Sequence, residues 1–148
     1  MIVRLEPDQI AEYWDMLKPA IMGALPPVSS NDKDLANNIL ENLLAHGMDC
    51  WMVYTIKDGV NKILLIATTT ISEDICSRTR SLMVYTVFGV NPASGKEWEE
   101  GFEVLSKYGR SRGCSRIIAY TDVESIRRMA KIFGGEARYT FISIPINS

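Results

Sequence analysis

The chain has 148 residues, of which 47% are apolar and 23% are charged, and its formal net charge is −2. This length and composition predict one globular domain over residues 1–148 rather than a disordered or fibrous chain. The slight negative charge disfavours a nucleic-acid surface, which needs an excess of Lys and Arg. No apolar run approaches the ~20 residues that span a bilayer, so neither a nucleic-acid partner nor a membrane is indicated.

The cysteines and the single histidine exclude two further classes of protein. Cys50, Cys76 and Cys114 are widely spaced and form no C-x-x-C pair, and His46 is the only histidine. A zinc site needs four such ligands at short spacings, so no metal site is expected. The pattern is typical of reduced thiols in a cytoplasmic protein, and His46 is expected to be a surface or a helix-end residue.

The first half of the chain predicts a strand, two helices and a hairpin. "MIVRL" is a short strand, and apolar residues at helical spacing predict a helix over Asp8–Leu25 that "PPVSSN" ends. Ser30 or Asn31 is placed to cap a second helix. Cys50–Ile56 and Lys62–Ile71 are then two strands joined by the Asp-Gly turn favoured in hairpins.

The second half predicts alternating strands and helices. In order they are the strand Leu82–Val90, the helix Gly95–Arg112, the strand Arg116–Thr121, the helix Asp122–Phe133 and the strand Ala137–Ile146. The apolar character of the first of these strands predicts burial on both faces. The order βααβββαβαβ indicates one α/β domain with a mixed sheet. The strands on either side of the first of these helices should run parallel, since a crossover joins them.

This order of elements, with Val90-Asn91-Pro92 leading into the second-half helix, resembles the GNAT superfamily of N-acetyltransferases. The resemblance covers essentially the whole chain and is strongest from Leu82 to Ile146. The chain is also similar, more weakly, to small GNAT-like proteins of tailed bacteriophages. The resemblance implies an acetyl-CoA-dependent N-acyltransferase whose acceptor is the amine of a small molecule or a protein.

The resemblance also implies where the cofactor binds. The pantetheine arm would pair with the backbone at the end of the strand Leu82–Val90, and the pyrophosphate would lie on amides at the start of the next helix. The last helix would receive the 3′-phosphate. The segment 23–32 would form a rim of the acceptor site. The residues implied for the cofactor are Phe88, Gly89, Val90, Ser94, Gly95, Lys96, Arg127 and Arg128.

Amine acetylation needs a group that accepts the proton of the amine and a group that protonates the leaving thiolate. The tyrosine that the family often uses for the second task would fall at Ala130 or Lys131, so it is absent. The candidate substitutes are Tyr85 and Tyr120, and Glu73 is the candidate for the first task.

Two alternatives stay open because the loop departs from the family pattern. Gly95 is its only glycine, Trp98 stands where a small residue is usual, and Ser94 and Glu97 form a capping-box motif that uses helix amides. The first alternative is a catalytically inactive GNAT-like binding or regulatory protein, such as one encoded by a phage. The second is a structural subunit whose cleft edge pairs with another chain, for example in a homodimer.

Overall fold

The computed structural model describes residues 1–30 and 33–146, so the predicted cap Asn31 lies outside the described residues. The strands are β1 (Ile2–Arg4), β2 (Asp49–Lys57), β3 (Val60–Glu73), β4 (Arg80–Gly89) and β5 (Arg116–Ala119). The helices are α1 (Pro7–Met22), α2 (Leu35–Leu44), α3 (Gly95–Ser111) and α4 (Glu124–Ile132). No helix among the described residues is long and apolar enough to cross a membrane.

The five strands form one mixed sheet in the order β1-β2-β3-β4-β5. Neighbours are antiparallel except β4 and β5, which are parallel. The crossover through α3 imposes that direction, because a strand that returns after a helix enters the sheet in the same sense. The predicted single α/β domain with a mixed sheet is therefore confirmed.

The helices cover both faces of the sheet. Leu65 and Ile66 are neighbours on β3 and point to opposite faces, as successive strand residues do. Ile66 packs with buried residues of α1 and α2, such as Leu17 and Leu43. Leu65 belongs to a second cluster that includes Trp98 of α3. The sheet therefore lies between α1 and α2 on one side and α3 on the other.

In the first half of the chain, two helix boundaries differ from the prediction by more than one residue. α1 ends at Met22 rather than Leu25, and Gly23 is its C-cap residue. The cap of α2 is Asp34 rather than Ser30. A helix begins or ends where a nearby polar or small residue satisfies its free backbone groups. The segment between α1 and α2 contains several such residues, so the sequence alone did not decide between them.

The last part of the chain departs most from the prediction. α4 begins at Glu124 instead of Asp122, after Thr121 accepts a hydrogen bond from the amide of Val123 at 3.0 Å. The predicted strand Ala137–Ile146 is not formed. Alternating apolar residues give strand propensity, but a strand also needs a neighbour for its hydrogen bonds, and this segment has none among the described residues.

Candidate functional site

The strands β4 and β5 separate partway along their length. Their register runs from Ser81 opposite Arg116 to Val84 opposite Ala119 and stops there. The next residue on each strand is a tyrosine, Tyr85 on β4 and Tyr120 after β5. The predicted pair of tyrosines therefore stands where the two strands part, at the carboxyl end of the parallel pair, where open α/β sheets bind ligands.

A bulge on β4 lies at this fork. Thr68 of β3 is opposite Thr86, and the next residue, Thr69, is opposite Val84. Tyr85 is therefore an extra residue with no partner on β3. A bulge bends its strand and increases the local twist, so the part of β4 that follows Tyr85 is directed away from the line that β5 takes.

Beyond the fork, β4 has an open edge. Its end is held to β3, because Val90 donates its amide to the carbonyl of Leu64 at 2.8 Å and Asn91 donates its side-chain amide to the carbonyl of Ile63 at 2.7 Å. Its other edge faces no strand among the described residues. The predicted burial of both faces of this strand holds at Leu82 but not at Phe88, which is 37% exposed.

The loop after β4 ends in the capping box that the sequence predicts. Ser94 caps α3 and its hydroxyl accepts from the amide of Glu97 at 3.3 Å. Glu97 in turn accepts from the amide of Ser94 at 3.2 Å and from its hydroxyl at 2.8 Å. Its other oxygen, Oε2, is buried and has no hydrogen-bond partner among the described residues. The carboxylate is therefore turned back onto the helix end rather than extended over the loop.

The capping box leaves part of the helix start free. It uses the amides of Ser94 and Glu97, whereas those of Gly95 and Lys96 have no hydrogen-bond partner among the described residues. Both residues are exposed, and a side chain at Gly95 would meet no atom within 4 Å. Free amides at a helix N-terminus favour an anion, so this turn has room and donors for a phosphate group.

The two tyrosines at the fork have different surroundings. Tyr85 is half-buried and packs against the core under α1 and α2, and its hydroxyl has no hydrogen-bond partner in the described part of the chain. Tyr120 is 42% exposed, and its ring meets that of Phe141 edge-on at 5.3 Å. Among the described residues, neither hydroxyl makes a hydrogen bond.

The structure does not bring Glu73 to the fork. Glu73 lies opposite Arg80 at the other end of β4 and pairs with its guanidinium at 3.3 Å. From Arg80 to Tyr85 is five residues, about 17 Å at the rise of a strand. Glu73 therefore cannot accept a proton from an amine bound at the fork.

The predicted basic residues of α4 are on the surface. Arg127 and Arg128 are exposed, and Arg127 lies 3.8 Å from Glu124. α4 begins soon after β5 and reaches α3 at its other end, where Phe133 stacks on Phe102 with ring centroids 4.4 Å apart. Both arginines therefore lie on the helix that follows β5, the strand at the edge of the sheet.

The segment between α1 and α2 approaches the open end of β4. A side chain at Gly23 would come within 3.4 Å of the ring of Phe88. Phe88 is half-exposed at this end of the strand, so the start of the predicted acceptor rim lies beside the cleft. The end of the predicted rim, residues 31–32, lies outside the described residues.

Sequence reasoning missed a polar cluster at the far end of the sheet. The hydroxyl of Tyr108 donates to Asp49 and accepts from Nη1 of Arg112 at 3.1 Å. Burial, then the hydrogen bond to Asp49 and its charge, raise the pKa of Tyr108 above its usual value. The cluster lines a pocket of about 270 Å³ with Arg80 and His46, which follows α2 as expected for a helix-end residue. No sequence signal joins Tyr108 to a residue 59 positions away.

No group of three or more His, Cys, Asp or Glu residues in the described ranges could hold a metal ion. The candidate site consists of the open edge of β4, the two tyrosines and the N-terminus of α3.

The chain matches no family model and no curated protein sequence. It does match solved structures. AAC(6')-Iy, solved with a bisubstrate analogue of CoA, has a TM-score of 0.69 at 15% identity, with 100% of this chain and 98% of the other covered. A predicted acetyltransferase from Clostridium acetobutylicum, solved with acetyl-CoA, has a TM-score of 0.67 at 12% identity, with 98% of this chain and 95% of the other covered.

A third neighbour is the ribosomal-protein-alanine N-acetyltransferase from Brucella melitensis biovar Abortus 2308. Its TM-score is 0.64 at 14% identity, and 99% of each chain is covered. In all three cases the match covers at least 95% of each chain. Because the sequence identity is low, the comparison shows only that the folds are alike. The fold of this chain is that of the GNAT acetyltransferases.

Proposed function

We propose that this chain is an acetyl-CoA-dependent N-acyltransferase that works at the fork between β4 and β5. The observation that carries the proposal is the position of the fork. The pairing between β4 and β5 stops at Val84 and Ala119. The loop that follows the open edge of β4 leads to the amides of Gly95 and Lys96, which have no hydrogen-bond partner among the described residues. An extended chain that ends in phosphates fits a strand edge followed by a helix N-terminus.

The described residues offer a partner for each part of such a cofactor. The amide-containing pantetheine arm can pair with the backbone of Phe88–Val90 as an added strand would. The pyrophosphate can bind the amides of Gly95 and Lys96, with the exposed ammonium of Lys96 as the nearest cation on that turn. Arg127 and Arg128 are the candidates for the 3′-phosphate, since arginine binds phosphate in a bidentate manner.

Acetyl-CoA, when bound, would supply a thioester that an amine can attack. A bond forms between the amine nitrogen and the acetyl carbon, the bond between that carbon and sulfur breaks, and one proton leaves the nitrogen while one reaches the sulfur. In this chain Tyr120 or Tyr85 would donate the proton to sulfur. The amine proton would pass to solvent, because Glu73 lies about 17 Å from the fork along β4.

The acceptor amine would enter from the side of α1 and α2, where Gly23 lies beside Phe88 at the open end of β4. Among the neighbours, one acts on alanine of a ribosomal protein and another was solved with a neamine-derived analogue. Both a protein and a small-molecule amine are therefore within the range of this fold.

A second candidate function is supported by Glu97. Its carboxylate accepts from the hydroxyl of Ser94 at 2.8 Å at the same helix start as the amides of Gly95 and Lys96, so its negative charge opposes an anion bound there. This arrangement favours a GNAT-like protein that binds or regulates a partner without catalysis, as a phage-encoded protein could. Acetyl-CoA would then bind weakly or not at all.

The melting temperature of the purified chain with excess acetyl-CoA, CoA or no ligand separates the two functions. A ligand present at one hundred times its Kd and bound only to the folded state adds about 2.7 kcal/mol. For a chain of this size that stabilisation raises Tm by roughly 5–10 °C. Acyl transfer is then measured as release of free CoA thiol with a panel of amines.

Lys96→Glu and Lys107→Glu form a matched pair, because both lysines are exposed on α3 and lie about 17 Å apart along the helix. The ligand-induced shift should disappear in Lys96→Glu and persist in Lys107→Glu. No shift at millimolar acetyl-CoA would overturn the enzyme. A shift without acyl transfer to any amine would favour the binding protein.

A further inference from the structure

The pocket at the far end of the sheet is separate from the fork. Its volume is about 270 Å³, and its walls come from the turn after α2, from β2, β3 and β4, and from the end of α3. Arg80 lines it and is the first residue of β4, about 17 Å along that strand from Tyr85. Pockets for drug-sized ligands measure ~300–1,000 Å³, so this one has the size for a small metabolite.

Two arginines line the pocket and are held in place without using all of their donors. Arg80 donates from Nε to the carbonyl of Arg112 at 3.1 Å and from Nη1 to Glu73 at 3.3 Å. Arg112 donates from Nη1 to the hydroxyl of Tyr108 at 3.1 Å. The other N–H groups of the two guanidinium groups have no hydrogen-bond partner in the described part of the chain. Both are therefore pre-organised to bind an anion through their remaining donors.

His46 brings an imidazole to the same pocket from a strained backbone position. It follows α2 with a φ of 62°, the left-handed conformation for which helix ends usually use glycine. A residue with a Cβ is disfavoured in this conformation, and residues held in this way are concentrated at functional sites. The ring lines the pocket and has no hydrogen-bond partner among the described residues. It can therefore donate a further hydrogen bond to an anion.

The same end of the sheet is rich in arginine. The arginines there are Arg4, Arg78, Arg80, Arg110, Arg112 and Arg116. Three carboxylates lie among them, and each is already bound. Asp49 accepts from Tyr108, whereas Glu73 pairs with Arg80 and Asp74 accepts from its own turn. The six arginines outnumber these three carboxylates, although the net charge of the chain is −2, and such a local excess of positive charge attracts anions.

We propose that this pocket binds the phosphate group of a small phosphorylated metabolite through Arg80, Arg112 and His46. The three side chains come from three different elements, so their donors can reach the three terminal oxygens of one phosphate group, whereas a carboxylate has only two. Ile71 and Leu82 also line the pocket and provide an apolar wall for the rest of the molecule. This binding does not depend on acyltransferase activity.

Arg112 and Arg110 give a matched pair of variants. Both lie at the end of α3 and are exposed, and Gln at either position removes one positive charge, but Arg112 lines the pocket and Arg110 does not. Arg112→Lys keeps the charge and removes the planar fork of the guanidinium. The hydrogen bond from Tyr108 to Asp49 is present in all three variants. Far-UV circular dichroism confirms that each is folded.

Binding is measured in the absence of CoA, by titrating the full chain with glycerol 3-phosphate, inorganic phosphate or succinate at constant ionic strength. Two-dimensional NMR of the backbone amides shows where each ligand binds. The amides of Gly47, Thr70 and Ile71 report on the pocket, and those of Gly95 and Lys96 report on the start of α3. A phosphate bound at that helix start is therefore distinguished from one bound in the pocket.

The two phosphate compounds should shift the pocket amides in a saturable manner, and succinate should bind more weakly. Arg112→Gln should weaken binding at least about tenfold, because hydrogen bonds to a charged group are lost. Arg112→Lys should also weaken it, whereas Arg110→Gln should change it less than about twofold, because a solvent-exposed charge outside the pocket is screened.

Pocket amides that neither phosphate compound shifts at millimolar concentration would overturn the proposal, and so would shifts confined to Gly95 and Lys96. Binding of inorganic phosphate without glycerol 3-phosphate would exclude a phosphorylated metabolite as the ligand. Equal affinity for succinate would exclude a site selective for phosphate. Equal losses in Arg112→Gln and Arg110→Gln, or full binding in Arg112→Lys, would exclude the Arg112 guanidinium as a ligand-binding group.

Discussion

Replacing Tyr108 with Phe tests whether the polar cluster at the far end of the sheet stabilises the fold. The change removes one oxygen and leaves the ring, which packs edge-on against Trp51 at 5.0 Å. Asp49 then loses the donor of its hydrogen bond. Water replaces that donor poorly, because only 13% of the Asp49 side chain is exposed. Arg4 is its remaining cation at 4.0 Å and is itself 43% exposed, so it compensates little.

A hydrogen bond to a charged group contributes about 1.5–3 kcal/mol, and a buried acceptor left without its donor costs a similar amount. Tyr108→Phe should therefore lower the free energy of unfolding by about 2 kcal/mol. Arg112 loses the Tyr108 hydroxyl as an acceptor. This loss should cost little, because water can bind its guanidinium instead. Urea denaturation at neutral pH, followed by circular dichroism, measures the difference.

Two comparisons make the test specific. Tyr13→Phe, at a tyrosine of α1 that is 43% exposed, should change stability by less than about 0.5 kcal/mol. In the Asp49→Asn background, Tyr108→Phe should cost at least about 1 kcal/mol less than in the native background, because the charged acceptor is gone. A native-background loss below about 0.5 kcal/mol, or no coupling between the two positions, would refute the reasoning.

Two further predictions concern alkaline stability and a turn. Burial, with the nearby charge of Asp49, raises the pKa of Cys50 from 9.0 to about 12. The contribution of Cys50 to stability is fully present below pH 9 and is lost as the pH rises towards 12. At pH ~10 the loss is on the order of 1 kcal/mol, and urea titrations of Cys50→Ala should lack this dependence. Gly113, at φ 77° after α3, should tolerate Ala poorly, at a cost of about 1–2 kcal/mol. Gly95→Ala, measured without ligand, should leave Tm nearly unchanged; equal shifts for the two glycine variants would contradict the role of backbone conformation.

Local signals predicted the parts of the fold that local physics decides. The capping box of Ser94 and Glu97 needs only residues three apart, and the direction of β4 and β5 follows from the helix between them. The same kind of signal placed Tyr85 on β4 and Tyr120 at the carboxyl end of β5.

Features that depend on distant pairing could not be predicted in this way. The bulge at Tyr85 is a property of two strands together, and neither strand alone marks the extra residue. Asp49 and Tyr108 meet across 59 positions. The segment 137–146 has the alternation of a strand, yet whether it forms one depends on a partner, which alternation does not specify.

The bulge on β4 consists of one extra residue, Tyr85. The cleft therefore depends on a single residue of chain length, whereas the pairing of β3 with β4 does not. Val84 and Thr86 already face successive residues of β3, so deleting Tyr85 would keep both pairs and give a regular ladder. The strand would lose its bend and would continue alongside β5, which would close the fork while the backbone pairs of Val84 and Thr86 with β3 are kept. One codon would then distinguish a sheet with a cleft from one without, and the variant would lose the place for a cofactor together with the packing of Tyr85 against the core.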